Sequence, residues 1–105
     1  MTTLSKFNAL PPDVRVVLTQ SAELHGLEPF VLLMKCRKTH IKDCRFMAIK
    51  RLRQNGYTLK KIRSFFGYSC HSTIINAVEQ ANNLIETDDN FRMTYLELMA
   101  KTNFS

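Results

Sequence analysis

An all-α domain of about six helices is what this chain predicts, on three observations. Apolar residues recur at helical spacing (i, i+3, i+4, i+7) along most of its 105 residues. No stretch alternates apolar and polar as a half-buried strand would. The one hairpin-type dipeptide, Asn55-Gly56, has flanks of helical period. The three glycines, at 26, 56 and 67, fall between the periodic segments and punctuate them. The length suits one small domain with a modest core. An apolar content of 45% excludes a disordered chain.

In order along the chain, residues 1–10 read as a flexible N-terminal arm, and residues 11–105 as a single helical domain. Pro11-Pro12-Asp13 is a helix start, with proline in the first turn and an acid near the positive end of the dipole. Val14, Val17, Leu18 and Ala22 mark its inner face, and Gly26 is its stop. "LEPFVLLMKCR" reads as a short apolar helix running into a basic junction. Ile41, Cys44, Met47, Ala48 and Leu52 form the next stripe, with Lys42, Arg45, Lys50 and Arg53 opposite. Asn55-Gly56 ends that helix. Thr58 caps a short one, "LKKIRSFF", with Leu59, Ile62 and Phe66 inward, and Gly67 turns the chain. From about Cys70 to Glu86, Ile74, Ala77, Val78, Ala81, Leu84 and Ile85 give the clearest pattern. Thr87 or Asp88 caps a last helix that packs through Phe91, Tyr95, Leu98 and Met99.

Net charge is +6, and its distribution says more than its size. Residues 35–63 hold eleven Lys or Arg against one acid, Asp43, and so carry +10. Residues 1–34 carry −1 and residues 64–105 carry −3. An ordinary solvated face mixes signs. A block this one-sided favours a polyanion through counterion release. Three cysteines at no framework spacing read as reduced thiols, and "MTTLSKFNALPPD" lacks the basic start and apolar core of a signal peptide. No apolar run approaches the roughly 18 residues of a membrane helix. A cytoplasmic, nucleoid-associated protein with no membrane partner is the expectation.

The two helices over 58–86, joined at Gly67, have the layout of a helix-turn-helix. The first is short and basic. The second buries Ile74 and Val78 and leaves Ser72, Thr73, Asn76 and Gln80 outside. Hydroxyls, amides and imidazole pair with base edges, and a threonine methyl meets that of thymine. Ser69 can cap the second helix, whose N-terminus attracts phosphate. The Ile62–Gly67–Ile74 spacing is one residue wider on each side of the glycine than the commonest pattern of this motif.

These residues resemble a family. "CRKTHIKDCRFMAIKRLRQNGYTLKKIRSFFGYSCHSTIINAVEQANNL" is similar to the C-terminal DNA-binding domain (domain IV) of the bacterial replication initiator DnaA, a Trp-repressor-like helix-turn-helix. Phe66-Gly67-Tyr68-Ser69-Cys70-His71-Ser72-Thr73-Ile74 lies without a gap on that family's F-G-G-R-D-H-T-T-V. Arg45-Phe46-Met47-Ala48-Ile49 matches its R-Q-[IM]-A-M helix start. "LHGLEPFVLLMKCRK" resembles its run of tyrosine, aliphatic pair and basic junction. The resemblance spans roughly residues 14–101. It implies base contacts in the major groove from His71, Ser72 and Thr73, with Asn76 and Cys70 beside them. It places the minor-groove arginine on Arg37, and phosphate contacts on Lys38, Lys42, Arg45, Lys60, Lys61 and Ser69. Ser69-Cys70 stands where the family has Arg-Asp, whose Asp reads a base, and Tyr68 stands for a Gly. Double-stranded DNA binding is therefore implied, and the family's nonamer box is left an open question. With only three glycines there is no G-x-x-x-x-G-K-[ST] loop, so no ATPase activity and no cofactor are expected.

Other readings stand beside this one. The acidic last helix, with Asp88, Asp89 and Glu97, is a candidate surface for a replication or transcription protein, or part of a mimic of one. RNA binding would show as preference for hairpins or single strands. Cys36, His40 and Cys44 repeat every four residues as zinc ligands can, but no fourth ligand is near and Arg37, Lys38 and Lys42 repel a cation. Cys70-His71 as a catalytic pair fails on geometry, since adjacent residues on a helix diverge by about 100°. No enzyme is expected. Monomer and dimer are both left open.

Overall fold

The computed structural model describes residues 3–34, 38–68 and 70–102, with side chains from residue 5 onward. Among them the chain is all helical, as predicted: α1 (Thr3–Asn8), α2 (Pro12–Leu24), a 3-10 helix (Pro29–Leu33), α3 (Thr39–Gln54), α4 (Leu59–Phe66), α5 (His71–Thr87) and α6 (Asp89–Lys101). The helices pack into a body of 37 × 28 × 26 Å.

The helix ends obey local chemistry. Pro11 and Pro12 open α2, and Thr58 Oγ1 accepts from the Lys61 amide at 3.2 Å to cap α4. Asp88, one of two candidates, caps α6 by accepting from the Phe91 amide at 3.1 Å. At Gly67 (φ 72°) the Tyr68 amide reaches back to the Arg63 carbonyl at 3.1 Å and the Gly67 amide to Ser64 at 3.3 Å. That pair of bonds is a Schellman closure, and its left-handed residue strongly prefers glycine. The same closure ends α2 at Gly26 and α3 at Gly56.

Helix α3 is the centre of the molecule. It packs against α2, the 3-10 helix, α4 and α5. Being covered on most sides, it buries Ile49 as well as the predicted Cys44, Met47, Ala48 and Leu52. The main core joins Cys44, Ala48, Ile49 and Leu52 to Val14, Val17, Leu18 and Ala22 of α2, Leu32 of the 3-10 helix, Ile62 and Phe66 of α4, and Ile74 and Ala77 of α5. A second cluster, Met47, Ala81, Phe91, Tyr95 and Leu98, fixes α6.

Two expectations are corrected here. Residues 3–8 are helical rather than a loose arm, because Phe7 and Leu10 find the main core and hold the turn that local propensity alone would not. The apolar stretch before the basic junction forms a five-residue 3-10 helix, opened by Pro29 and closed at Met34 by a β-region residue.

Candidate nucleic-acid interface

The surface in question is built by α4, the Gly67 turn and the first turns of α5. Ile62 and Phe66 anchor α4, and Ile74 and Ala77 anchor α5. With those faces inward, His71, Ser72, Thr73, Ile75, Asn76, Glu79 and Gln80 face solvent. Turning 100° per residue from the buried Ile74–Ala77–Ala81 stripe, the outermost ridge runs through Ser72, Asn76, Glu79 and Asn83. From Ser72 to Glu79 this ridge is about 10 Å long at 1.5 Å per residue. A B-DNA major groove is roughly 12 Å wide and admits an α-helix about 10–12 Å across, so the ridge is long enough to span several base edges along it.

At the tip, Cys70 takes the N-cap position with extended backbone (φ −145°, ψ 144°) and is exposed. Its side chain makes no conventional capping hydrogen bond. The Ser72 hydroxyl, hydrogen-bonded to the thiol, and then the amides of Ser72 and Thr73 hold the Cys70 thiol below its ordinary range. Phe66 and Tyr68 stack across the turn, with ring centroids 6.0 Å apart and planes within 10°.

The basic block divides when folded. Lys60 and Lys61 are exposed in the first turn of α4, where they line shallow cavities with Pro11, Asp13, Tyr57 and Thr58. Lys38 and Lys42 are also exposed, but at the start of α3. That end of α3 lies by the far end of α5: His40 and Asp43 line one cavity with Asp88, Asn90 and the end of α2 at His25. The length of α5 therefore separates Lys38 and Lys42 from His71. Lys50 lies 5.8 Å over the Tyr95 ring, on the α6 side.

Arg45 departs from its expected part as an exposed phosphate contact. It is 8% exposed, and its guanidinium donates from Nε to the Leu32 carbonyl at 2.9 Å and from Nη2 to the Met34 carbonyl at 2.6 Å. The side chain thus closes the 3-10 helix. Arg51, equally buried, donates to Thr102 Oγ1 at 2.8 Å and to the Thr102 carbonyl at 2.9 Å, tying down the end of α6. Arg37 and Ser69, with Cys36, lie outside the described residues.

Three residues escaped the sequence reading. Ile75 is 44% exposed at the α5 tip, although its place after Ile74 reads as core. Glu79 shares the outward ridge with Ser72 and Asn76, a position a helical wheel identifies. Lys6 of α1 brings its ammonium to the turn itself: a Cβ placed on Gly67 would sit 3.4 Å from Lys6 Nζ.

Of the zinc-spaced set Cys36, His40 and Cys44, His40 and Cys44 lie within the described residues. Cys44 is fully buried beside Ser21, whose hydroxyl lies 3.2 Å from its sulfur, and burial pushes its thiol up to about 11. Among the described residues no three His, Cys, Asp or Glu converge as metal ligands. Among the described residues no helix is long and apolar enough to cross a membrane. Compared with known protein families, curated proteins and solved structures, the chain matches none.

Proposed function

We propose that this chain is a double-stranded DNA-binding module, a free-standing counterpart of DnaA domain IV that acts in transcription or replication regulation without ATPase activity. The observation that carries it is the division of α5. Ile74 and Ala77 anchor the helix, while a ridge of Ser72, Asn76 and Glu79, flanked by His71, Thr73 and Ile75, faces out. Entering the major groove, this tip offers donors and acceptors from His71, Ser72, Thr73 and Asn76. Ile75 offers an apolar contact for a thymine methyl, and Glu79 an acceptor for a cytosine amine. Lys60 and Lys61 meet phosphates on one strand. A catalytic role and a bound cofactor form no part of this reading.

Fluorescence anisotropy tests it, with labelled duplexes carrying a DnaA box, a scrambled box and a random pool, each at several salt concentrations. Binding to duplex with affinity falling as salt rises is expected. A tenfold preference for the box, about 1.4 kcal/mol, would mean that the family's readout survives Ser69-Cys70. Equal affinities would direct selection of another site from the pool. In either case, His71→Ala is expected to remove sequence preference.

A second reading has its own observation. On the outer face of α6, Met93 is 67% and Leu96 57% exposed, next to Glu97. A protein docking there would leave DNA binding absent at low salt, and His71→Ala without effect.

A further inference from the structure

We propose that α1 belongs to the DNA-facing surface and that Lys6 binds a backbone phosphate beside the α4–α5 turn. This inference rests on the DNA-binding reading above and extends it to a residue outside the basic block.

Three observations carry it. First, α1 is fixed in place. Phe7 and Leu10 pack on the main core, and the Ala9 amide closes the helix onto the Ser5 carbonyl at 3.1 Å. The position of Lys6 is therefore set by packing rather than by a free arm. Second, the Lys6 ammonium reaches the turn that joins the two helices of the motif, at the Gly67 approach of 3.4 Å. Third, Lys6 is exposed, and no carboxylate among the described residues pairs with it. An unpaired ammonium at the mouth of a groove-reading helix stands where a duplex brings its phosphates.

The competing explanation is structural. The Lys6 ammonium also lies near the C-terminal end of α4, where a cation offsets the dipole. The two explanations separate in their readouts. A phosphate ligand alters the salt dependence of binding and leaves sequence preference alone. A dipole partner alters thermal stability and leaves the salt dependence alone.

The test uses the full chain with Lys6→Gln and Lys6→Arg, measuring anisotropy on the random duplex pool from low to high salt and the melting temperature of each protein. For Lys6→Gln, the slope of log affinity against log salt should become shallower by about 0.9. At 0.1 M salt that term alone weakens binding roughly eightfold, with the difference closing toward 1 M. Lys6→Arg should restore the slope. An unchanged Lys6→Gln slope on a protein whose wild type binds duplex would overturn the inference and leave the DNA reading standing. No wild-type binding at low salt would remove both.

Discussion

Arg45 separates a fold contact from a DNA contact. Its motif position implies a phosphate partner, whereas its side chain is buried and donates to two backbone carbonyls. The informative perturbation is Arg45→Met, which keeps most of the aliphatic stem and removes the guanidinium. Leu32 is fully buried, so its carbonyl loses its donor in a place closed to water. An unsatisfied buried acceptor costs about 1–3 kcal/mol. Met34 is 45% exposed, and its carbonyl regains water at little cost. Relief of the guanidinium's desolvation works in the opposite direction. The balance is a destabilisation of about 1–2 kcal/mol. With an unfolding entropy near 2.1 cal/mol/K per residue, that lowers Tm by roughly 5–9 °C. Circular dichroism melts measure it. Anisotropy on the same protein, well below its Tm, should return the wild-type salt slope. An unchanged melt together with a slope shallower by about one would refute the reasoning and restore Arg45 as a phosphate ligand.

Two further predictions follow from titratable groups. Burial, and to a lesser degree Asp88, raise the pKa of Asp43 against the opposing pull of His25, Lys42 and His40. The folded state therefore holds that proton more tightly than the unfolded chain. The associated stability is fully present below the unfolded pKa and is lost as pH rises through the folded one. Asp43→Asn should melt above wild type at pH 7, with the gap shrinking toward pH 3; a gap that widens on acidification would contradict the assignment. The thiols differ as well. In a Cys36→Ser background, one thiol, Cys70, should react at once with Ellman's reagent at pH 8, because Cys44 is buried with its thiol raised to about 11. Two fast thiols would show that the α2–α3 packing opens.

Much of the fold is legible in the sequence because its signals are local. Glycines 26, 56 and 67, the Thr58 and Asp88 caps and the Ile74–Ala77–Ala81 stripe each act within a turn or two of chain. What escaped depends on contacts between distant segments. Helix α1 exists because Phe7 and Leu10 meet a core assembled from other helices. Arg45 and Arg51 look like surface bases by residue type. Their long stems let them lie along a central helix while their guanidinium groups reach carbonyls 11 to 51 residues away. The candidate site was legible at the α5 tip, where His71, Ser72 and Thr73 are neighbours in sequence. It was not legible across the basic block, because placing Lys38 and Lys42 requires knowing which end of α5 the start of α3 approaches.

That placement changes what the charge can do. A block of +10 invites the inference of many phosphate contacts and a steep salt dependence. Folding withdraws Arg45 and Arg51 into the structure and sets Lys50 over Tyr95. Among the described residues of the motif's first helix and its turn, Lys60 and Lys61 stay exposed, joined by Lys6 from a segment whose own net charge is negative. Three contacts imply a slope of about −3, where ten would imply about −9. A phosphate term that small gives non-specific binding of modest strength. Glu79 on the reading ridge subtracts from it by repelling the backbone. Under the DNA-binding proposal, affinity must then come largely from base contacts at His71, Ser72, Thr73, Ile75 and Asn76. The chain would bind its own site far more tightly than bulk DNA, and a cytosine placed opposite Glu79 would convert a repulsive position into a selective one.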